Sequence, residues 1–144
     1  MSIALFKLKD LKETYKFEKE HPKPIRWDEK YKEYVLSQKD GVQGIWLREG
    51  KELIAEVILT WTSSNVVHGD SFTVLPEHRG KGIGHDIIRI SLDWASEMGY
   101  THFIGEARKG ASWTVFQDFG AEEILTYKNW SGTNEEYVSF KIEL

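Results

Sequence analysis

Cysteine is absent from this 144-residue chain, and proline occurs only three times. The lack of cysteine excludes a disulfide framework, a thiolate zinc site and a cysteine nucleophile. No apolar run approaches the roughly 20 residues that a membrane-spanning helix needs, and the first ten residues lack the apolar core of a signal peptide. The sequence therefore predicts a cytoplasmic protein without a membrane partner.

Neither sign of charge dominates, because 19 Lys and Arg against 23 Asp and Glu give a formal net charge of −4 at pH 7. This balance disfavours a nucleic-acid partner held by bulk electrostatics. The histidines His21, His78 and His102 do not cluster with metal-ligand spacing, so no metal site is predicted. A length of 144 residues suits one domain, 1–144, with one hydrophobic core.

Hydrophobic periodicity and turn residues predict an alternation of strands and helices along the chain. Apolar tracts predict strands over 3–8, 45–48, 53–61, 66–74, 100–107, 124–130 and 135–142. Helical spacing predicts helices over 11–20, 28–37, 85–98 and 111–119. Gly99 is expected to end the third of these helices.

The glycine-rich segment 79–84, Arg-Gly-Lys-Gly-Ile-Gly, follows a predicted strand and opens a predicted helix. A helix start offers free backbone N–H groups and a partial positive charge, which suit a diphosphate. Its three glycines let the backbone approach phosphate oxygens, and Arg79 adds a planar cation. The spacing fits neither the dinucleotide-binding fingerprint nor the ATP-binding loop, so the segment predicts a phosphate-binding turn of another kind.

The pattern from Val74 to Gly84, Val-x-x-x-x-Arg-x-x-Gly-Ile-Gly, resembles motif A (Arg/Gln-x-x-Gly-x-Gly/Ala) of the GNAT family of N-acetyltransferases. The specific motifs lie within 66–121, and the order of predicted elements agrees over the whole chain. The resemblance implies an α/β (α+β) fold with a central, mixed but mostly antiparallel twisted sheet of six to seven strands, flanked by about four helices. It also implies transfer of an acetyl group from acetyl-coenzyme A to a primary amine, by direct attack in a ternary complex.

By this resemblance, coenzyme A would wedge between the fourth and fifth predicted strands. The pantetheine arm is assigned to Phe72, Thr73 and Val74, and a backbone N–H near Val74 would polarise the thioester carbonyl. The pyrophosphate is assigned to the glycine-rich segment and the residue after it: Arg79, Gly80, Lys81, Gly82, Ile83, Gly84 and His85.

The segment 112–121 is similar to motif B of the family, with Gly120 at its glycine. Phe116 stands where many members have the Tyr that protonates the leaving thiolate. One interpretation is that the thiolate leaves without a protein acid, because its thiol has a pKa of roughly 8–9, or that Tyr127 replaces the acid. The alternative is a catalytically degenerate acyl-coenzyme A sensor or regulatory module.

Removing a proton from the acceptor amine needs a base, for which there are three candidates. His68 and Asp70 are two residues apart on a predicted strand, which places both side chains on one face if the strand is regular. Histidine suits proton transfer near neutral pH, directly or through a water. The resemblance adds Glu106, which matches a Glu kept by the ribosomal-protein N-terminal acetyltransferases.

The acceptor is expected to be a small-molecule or peptide amine, and the negative net charge is compatible with a cationic one. The resemblance places its pocket between the first two helices and the last hairpin. The substrate-binding candidates there are Trp27, Tyr31 and Trp130, and packing is the alternative role of the two Trp side chains. By analogy with dimers in the family, 137–142 would pair between the subunits of a homodimer.

Overall fold

The structure is a computed structural model that describes residues 2–6, 42–128 and 134–144. Seven strands in these residues form one sheet: β1 (Ser2–Phe6), β2 (Val42–Glu49), β3 (Glu52–Trp61), β4 (Val66–Val74), β5 (His102–Arg108), β6 (Glu122–Lys128) and β7 (Glu136–Glu143). Their spatial order is β1-β2-β3-β4-β5-β7-β6. Within this sheet β4 and β5 are parallel and every other neighbouring pair is antiparallel. The predicted mixed, mostly antiparallel sheet is therefore confirmed.

The described residues also contain one 3-10 turn and two α-helices: Pro76–His78, α1 (Ile83–Glu97) and α2 (Ser112–Asp118). The first helix begins before the predicted 85, because Gly82 takes the left-handed backbone conformation, with φ 82°, at its N-cap. The predicted helices over 11–20 and 28–37 lie outside the described residues. In the part of the chain that the structure describes, no helix is both long and apolar enough to cross a membrane.

The end of α1 is set by Gly99, as predicted, which has a φ of 91°. Gly99 donates its backbone N–H to the carbonyl of Ser96 at 3.1 Å, and Tyr100 donates to the carbonyl of Ala95 at 3.0 Å. This pair of hydrogen bonds is the Schellman arrangement of a helix C-terminus. Because Tyr100 belongs to the helix cap, β5 begins at His102 and not at the predicted 100.

One face of the sheet is covered by α1 and α2 and forms the hydrophobic core with them. Phe103 of β5 and Phe140 of β7 are at most 1% exposed there, and the ring of Phe116 on α2 lies 4.4 Å from that of Phe140. Successive side chains of a strand point to opposite faces. The strand residues that alternate with this apolar set therefore lie on the second face, which carries the polar side chains described next.

A bulge in β4 decides which of its side chains share the second face. Two consecutive residues of β3 pair with Ser71 and Gly69, so Asp70 is the extra residue of the bulge. In a regular strand Phe72 would share a face with His68 and Asp70. The bulge instead turns Phe72 towards the core and leaves the two polar residues in contact on the second face.

The strand β7 lies between β5 and β6, and both of its edges are hydrogen-bonded within the chain. The expectation that 137–142 pair between two subunits is therefore wrong, because the backbone groups of that strand are already engaged. At this end of the described sheet the edge strand is β6.

Candidate active site

The strands β4 and β5 separate after a short stretch of parallel pairing. Gly69 and Gly105 are the last paired residues, and beyond them β4 runs on to Val74 and β5 to Arg108. A Cβ on Gly69 would lie 2.6 Å from the ring of Phe103, so this close approach requires glycine. The facing edges of the separated strands present backbone N–H and C=O groups to the gap between them. This cleft suits an extended, amide-containing ligand such as the pantetheine arm of coenzyme A.

The glycine-rich segment forms an open turn at the start of α1. Gly80 and Gly82 have φ values of 76° and 82°, which favour glycine, and no atom lies within 4 Å of a Cβ built on either of them or on Gly84. The N-cap makes no side-chain hydrogen bond, so the first backbone N–H groups of the helix remain available to a ligand. The segment therefore fits an anion such as the pyrophosphate, and its predicted role remains a prediction.

Arg79 and His85 flank this turn and already have partners. The Nε atom of Arg79 donates to the carbonyl of Val74 at 3.0 Å, while the side chain is exposed. The Nε2 atom of His85 lies 2.9 Å from Oδ2 of Asp118, which ties the first turn of α1 to the end of α2. These contacts hold the two flanks of the turn in place.

The three residues assigned to pantetheine lie along the β4 side of the cleft. Phe72 and Val74 pack against the core, with the ring of Phe72 5.4 Å from that of Phe116. Thr73 is 2% exposed and pairs across the sheet with Glu56. Because these side chains are occupied by packing, we expect their backbone groups to be the ones available to a ligand.

The structure brings the three predicted catalytic residues together at the point where β4 and β5 separate. Nδ1 of His68 lies 3.1 Å from Oδ1 of Asp70, and its Nε2 lies 2.8 Å from Oε2 of Glu106. The side chains of His68 and Glu106 are each about a quarter exposed, whereas that of Asp70 is 3% exposed. Thr60 of β3 donates its hydroxyl to the other oxygen of Asp70. We call these four residues the polar cluster.

The charge of His68 follows from this geometry. Burial alone would lower its pKa, but the hydrogen bonds and negative charges of Asp70 and Glu106 outweigh burial and raise the pKa of His68 to about 10. At neutral pH both ring nitrogens therefore carry a proton, and each faces a carboxylate. An imidazolium has no lone pair with which to accept a proton, so the acceptor of a proton in this cluster is a carboxylate.

Two tyrosines lie beyond Glu106 on the second face. Tyr127 of β6 pairs with Tyr137 of β7, and their rings stack at 6.3 Å. Burial and the nearby charge of Glu106 raise the pKa of Tyr127 to about 12, with a further contribution from Tyr137. The phenol that was considered as a replacement acid is therefore protonated and holds its proton tightly.

Phe116 lies in the core and not on the polar face. It is 2% exposed, and its ring lies between those of Phe72 and Phe140. At this position of motif B the chain thus has an apolar ring packed against other rings, where many members of the family have a tyrosine hydroxyl.

The sequence interpretation missed two polar residues of β3. Glu56 is 0% exposed and Thr60 is 5% exposed, although both lie within a strand of mostly apolar residues. They are four residues apart and so share a face of the strand. This even spacing inside an apolar run was a signal in the sequence that the second face of β3 carries polar side chains.

One group of described residues has the spacing of metal ligands, at Glu52, Glu77 and His78, whose ligand atoms lie within 4.8 Å of one another. His78 is 3.5 Å from Glu52 and 3.9 Å from Glu49, both of which are exposed. Solvated ion pairs account for such an arrangement, so the absence of a metal site remains a prediction. The substrate-binding candidates Trp27, Tyr31 and Trp130 lie outside the described residues.

Comparison with known proteins gives one family. The chain matches the model of the Acetyltransferase (GNAT) family over residues 8–120. No curated protein sequence gives a significant match.

Three solved structures are similar along nearly the whole chain. The ribosomal-protein-S18-alanine N-acetyltransferase from Escherichia coli has 17% sequence identity and a TM-score of 0.82, covering 99% of this chain and 92% of its own. A spermidine N-acetyltransferase chimera from Vibrio cholerae and hSSAT has 16% identity and a TM-score of 0.77, covering 99% and 96%. A GNAT family acetyltransferase from Elizabethkingia anophelis with acetyl-CoA bound has 15% identity and a TM-score of 0.68, covering 99% and 98%. These TM-scores show a shared fold, and identities this low leave the substrate open.

Proposed function

Because the chain belongs to the GNAT family of acetyltransferases, which uses acetyl-coenzyme A as co-substrate, we propose that it acetylates a primary amine by direct attack in a ternary complex. The observation that carries this proposal is the position of the polar cluster, where the paired part of β4 and β5 ends. A cleft for the thioester and carboxylates for the amine then meet at one point.

The cofactor side of the proposal uses backbone groups. Phe72, Thr73 and Val74 would pair with the pantetheine amides along β4, and a backbone N–H near Val74 would polarise the thioester carbonyl. The turn over 79–85 would hold the pyrophosphate at the start of α1. Acetyl-coenzyme A supplies the activated acyl group, and the chain supplies orientation.

The acceptor side of the proposal uses charge. Asp70 and Glu106 carry two negative charges against the one positive charge of His68, so the cluster has a net negative charge that attracts an ammonium group. An ammonium group gives one proton to solvent to become a neutral amine, and the amine nitrogen gives up a second proton as the amide bond forms. We assign this second proton to Glu106, which is about a quarter exposed, and give Asp70 the role of holding His68.

A catalytically degenerate sensor is the second candidate, and Phe116 is the observation that favours it. A buried phenylalanine has no proton to donate to a leaving thiolate. Against it stand the two carboxylates at the end of the cleft, because a binding module has no use for a proton acceptor there.

The test combines calorimetry of acetyl-coenzyme A binding with a free-thiol release assay on a panel of amines. The panel includes spermidine and a peptide with an N-terminal alanine, since similar folds carry those activities. Wild type is expected to bind acetyl-coenzyme A and release thiol with one class of amine. Glu106→Gln should keep the affinity and lose about 10²–10⁴-fold in kcat, whereas Glu97→Gln on the exposed end of α1 serves as the matched control. Binding without release from any amine would favour the sensor.

A further inference from the structure

The proposed reaction leaves one proton unaccounted for. A coenzyme A thiolate that departs from the acetyl group needs a proton to become a thiol, and Phe116 cannot supply it because its ring is buried and apolar. Among the described residues, polar side chains lie on the second face, at the point where β4 and β5 separate. Two ionisable side chains there have a pKa raised well above neutral pH, those of His68 and Tyr127.

Position separates these two candidates. His68 lies on β4 itself and pairs with Ile104 of β5, one residue before the last paired position. Tyr127 lies on β6, and β7 separates that strand from β5. Neighbouring strands are about 4.8 Å apart, so two strand spacings lie between the backbone of Tyr127 and β5, whereas His68 borders the cleft directly.

We infer that His68 donates a ring proton to the sulfur of coenzyme A as it leaves, and that Glu106 returns a proton to the ring. This inference rests on the proposed function. It gives the His68–Glu106 pair the role of proton donor, which Phe116 cannot fill. The 2.8 Å contact between Nε2 and Oε2 is the route of the returning proton.

The proposed step moves one proton from nitrogen to sulfur. A neutral amine nitrogen bonds to the thioester carbonyl carbon, and the electron pair of the carbon–sulfur bond stays with sulfur. Glu106 takes a proton from the amine nitrogen, and His68 gives the proton of Nε2 to sulfur, which leaves Nε2 able to accept a proton. Glu106 then passes its proton to the ring of His68, so that one proton has moved from nitrogen to sulfur and both side chains return to their starting charges.

The two transfers assist each other electrostatically. His68 holds its proton because two carboxylates face its ring, Asp70 from β4 and Glu106 from β5. When Glu106 takes the amine proton it becomes neutral, and one of the charges that retain the proton of His68 disappears. His68 thus becomes a stronger acid at the moment when negative charge grows on sulfur. Among the described residues, the groups near this pair include the hydroxyl of Thr60 on β3, Ser139 of β7, which pairs with Glu106, and the phenols of Tyr127 and Tyr137 beyond Glu106.

The experiment compares the affinities of coenzyme A and of desulfo-coenzyme A, in which hydrogen replaces the thiol. Both are measured by calorimetry at about pH 8, which is close to the pKa of a free thiol. An imidazolium beside sulfur should favour coenzyme A over the desulfo compound by at least roughly tenfold, as expected for one charge-assisted hydrogen bond. His68→Gln should bring this ratio close to one and leave the affinity for desulfo-coenzyme A unchanged, which also shows that the variant folds. Tyr127→Phe is the matched control and should keep the ratio. In thiol release, His68→Gln should lose about 10²–10⁴-fold in kcat.

Each other result overturns the inference in a distinguishable way. A ratio that survives in His68→Gln, or that is lost only in Tyr127→Phe, removes His68 as the donor. Equal binding of the two compounds by wild type removes the inference and leaves the proposed function standing. No binding of either compound by wild type removes both.

Discussion

The Nδ1 atom of His68 lies 3.1 Å from Oδ1 of Asp70, and the bulge of β4 is what keeps these two side chains on one face while the strand turns Phe72 into the core. Without the extra residue, a polar pair and a large aromatic ring would compete for the same side of the sheet. The bulge therefore lets one short strand serve both the hydrophobic core and the candidate site.

The raised pKa of His68 makes the stability of the fold depend on pH. Its pKa is about 10 in the folded protein against an ordinary value of 6.5, so the stabilisation from binding this proton is complete below pH 6.5 and is lost as the pH rises through 10. We expect the difference in unfolding free energy between wild type and His68→Gln, measured by urea denaturation, to shrink steadily from pH 6.5 to 10. A difference that stays constant over this interval would show that His68 is already neutral in the folded protein.

Thr60 is expected to act as a positioning residue for His68, through Asp70. Its hydroxyl donates to one oxygen of Asp70 while the other oxygen faces His68. Thr60→Val removes the hydroxyl and keeps the shape, so Asp70 loses a restraint and we expect the pKa of His68, followed by NMR titration of the ring, to fall below about 10.

The conservative change Thr60→Ser supplies the control for this prediction, because it restores the donor and should restore the pKa of His68. If Thr60 acted through packing alone, Thr60→Val would keep the pKa of His68 and Thr60→Ser would change it, since valine fills the same volume and serine does not. The kcat of Thr60→Val should fall together with the pKa, and an unchanged titration in that variant would remove Thr60 from the cluster.

Much of the frame of this site was predictable from local sequence. The bounds of β4 were predicted correctly, because its valines begin after the polar turn 63–65 and the strand ends just before Pro76. The end of α1 was predicted by Gly99, whose left-handed conformation few other residues adopt. Such features depend on a few neighbouring residues, which a single sequence displays.

The arrangement within the site was not predictable in the same way. The bulge at Asp70 is a property of pairing between β3 and β4, which depends on residues far apart in the chain. The proximity of His68 to Glu106, 38 residues apart, likewise follows from the parallel register of β4 and β5. The protonation of His68 depends on both contacts, so the sequence pointed to His68 as a candidate and could not assign its charge.

Gly84→Asp is expected to weaken binding of acetyl-coenzyme A. Gly84 lies in the first turn of α1 with no atom within 4 Å of a Cβ built on it, so a side chain fits without strain. A carboxylate at a helix N-terminus also favours the helix, which leaves repulsion of the pyrophosphate as the dominant effect. By calorimetry we expect the Kd to rise at least about tenfold, or about 1.4 kcal/mol.

Gly84→Asn is the matched control for this change, because it has nearly the same shape and no charge, and it should retain most of the affinity. The gap between the two variants should narrow at high salt, since ions screen exposed charges. Equal affinity of the Asp and Asn variants would remove the pyrophosphate from this turn.

Restoring the tyrosine of motif B is expected to harm the protein and not to improve it. The ring of Phe116 is 2% exposed and packs at 4.4 Å from that of Phe140, so the hydroxyl of Phe116→Tyr would enter an apolar core and cost about 1–3 kcal/mol of unfolding free energy. Because His68 supplies the proton in our scheme, kcat should not rise. Phe119→Tyr adds the same hydroxyl at a partly buried position on the same side of the sheet and should be nearly neutral in urea denaturation. A higher kcat in Phe116→Tyr without loss of stability would contradict this prediction. It would show that the ring borders the cleft and that a tyrosine at this position can act as the acid.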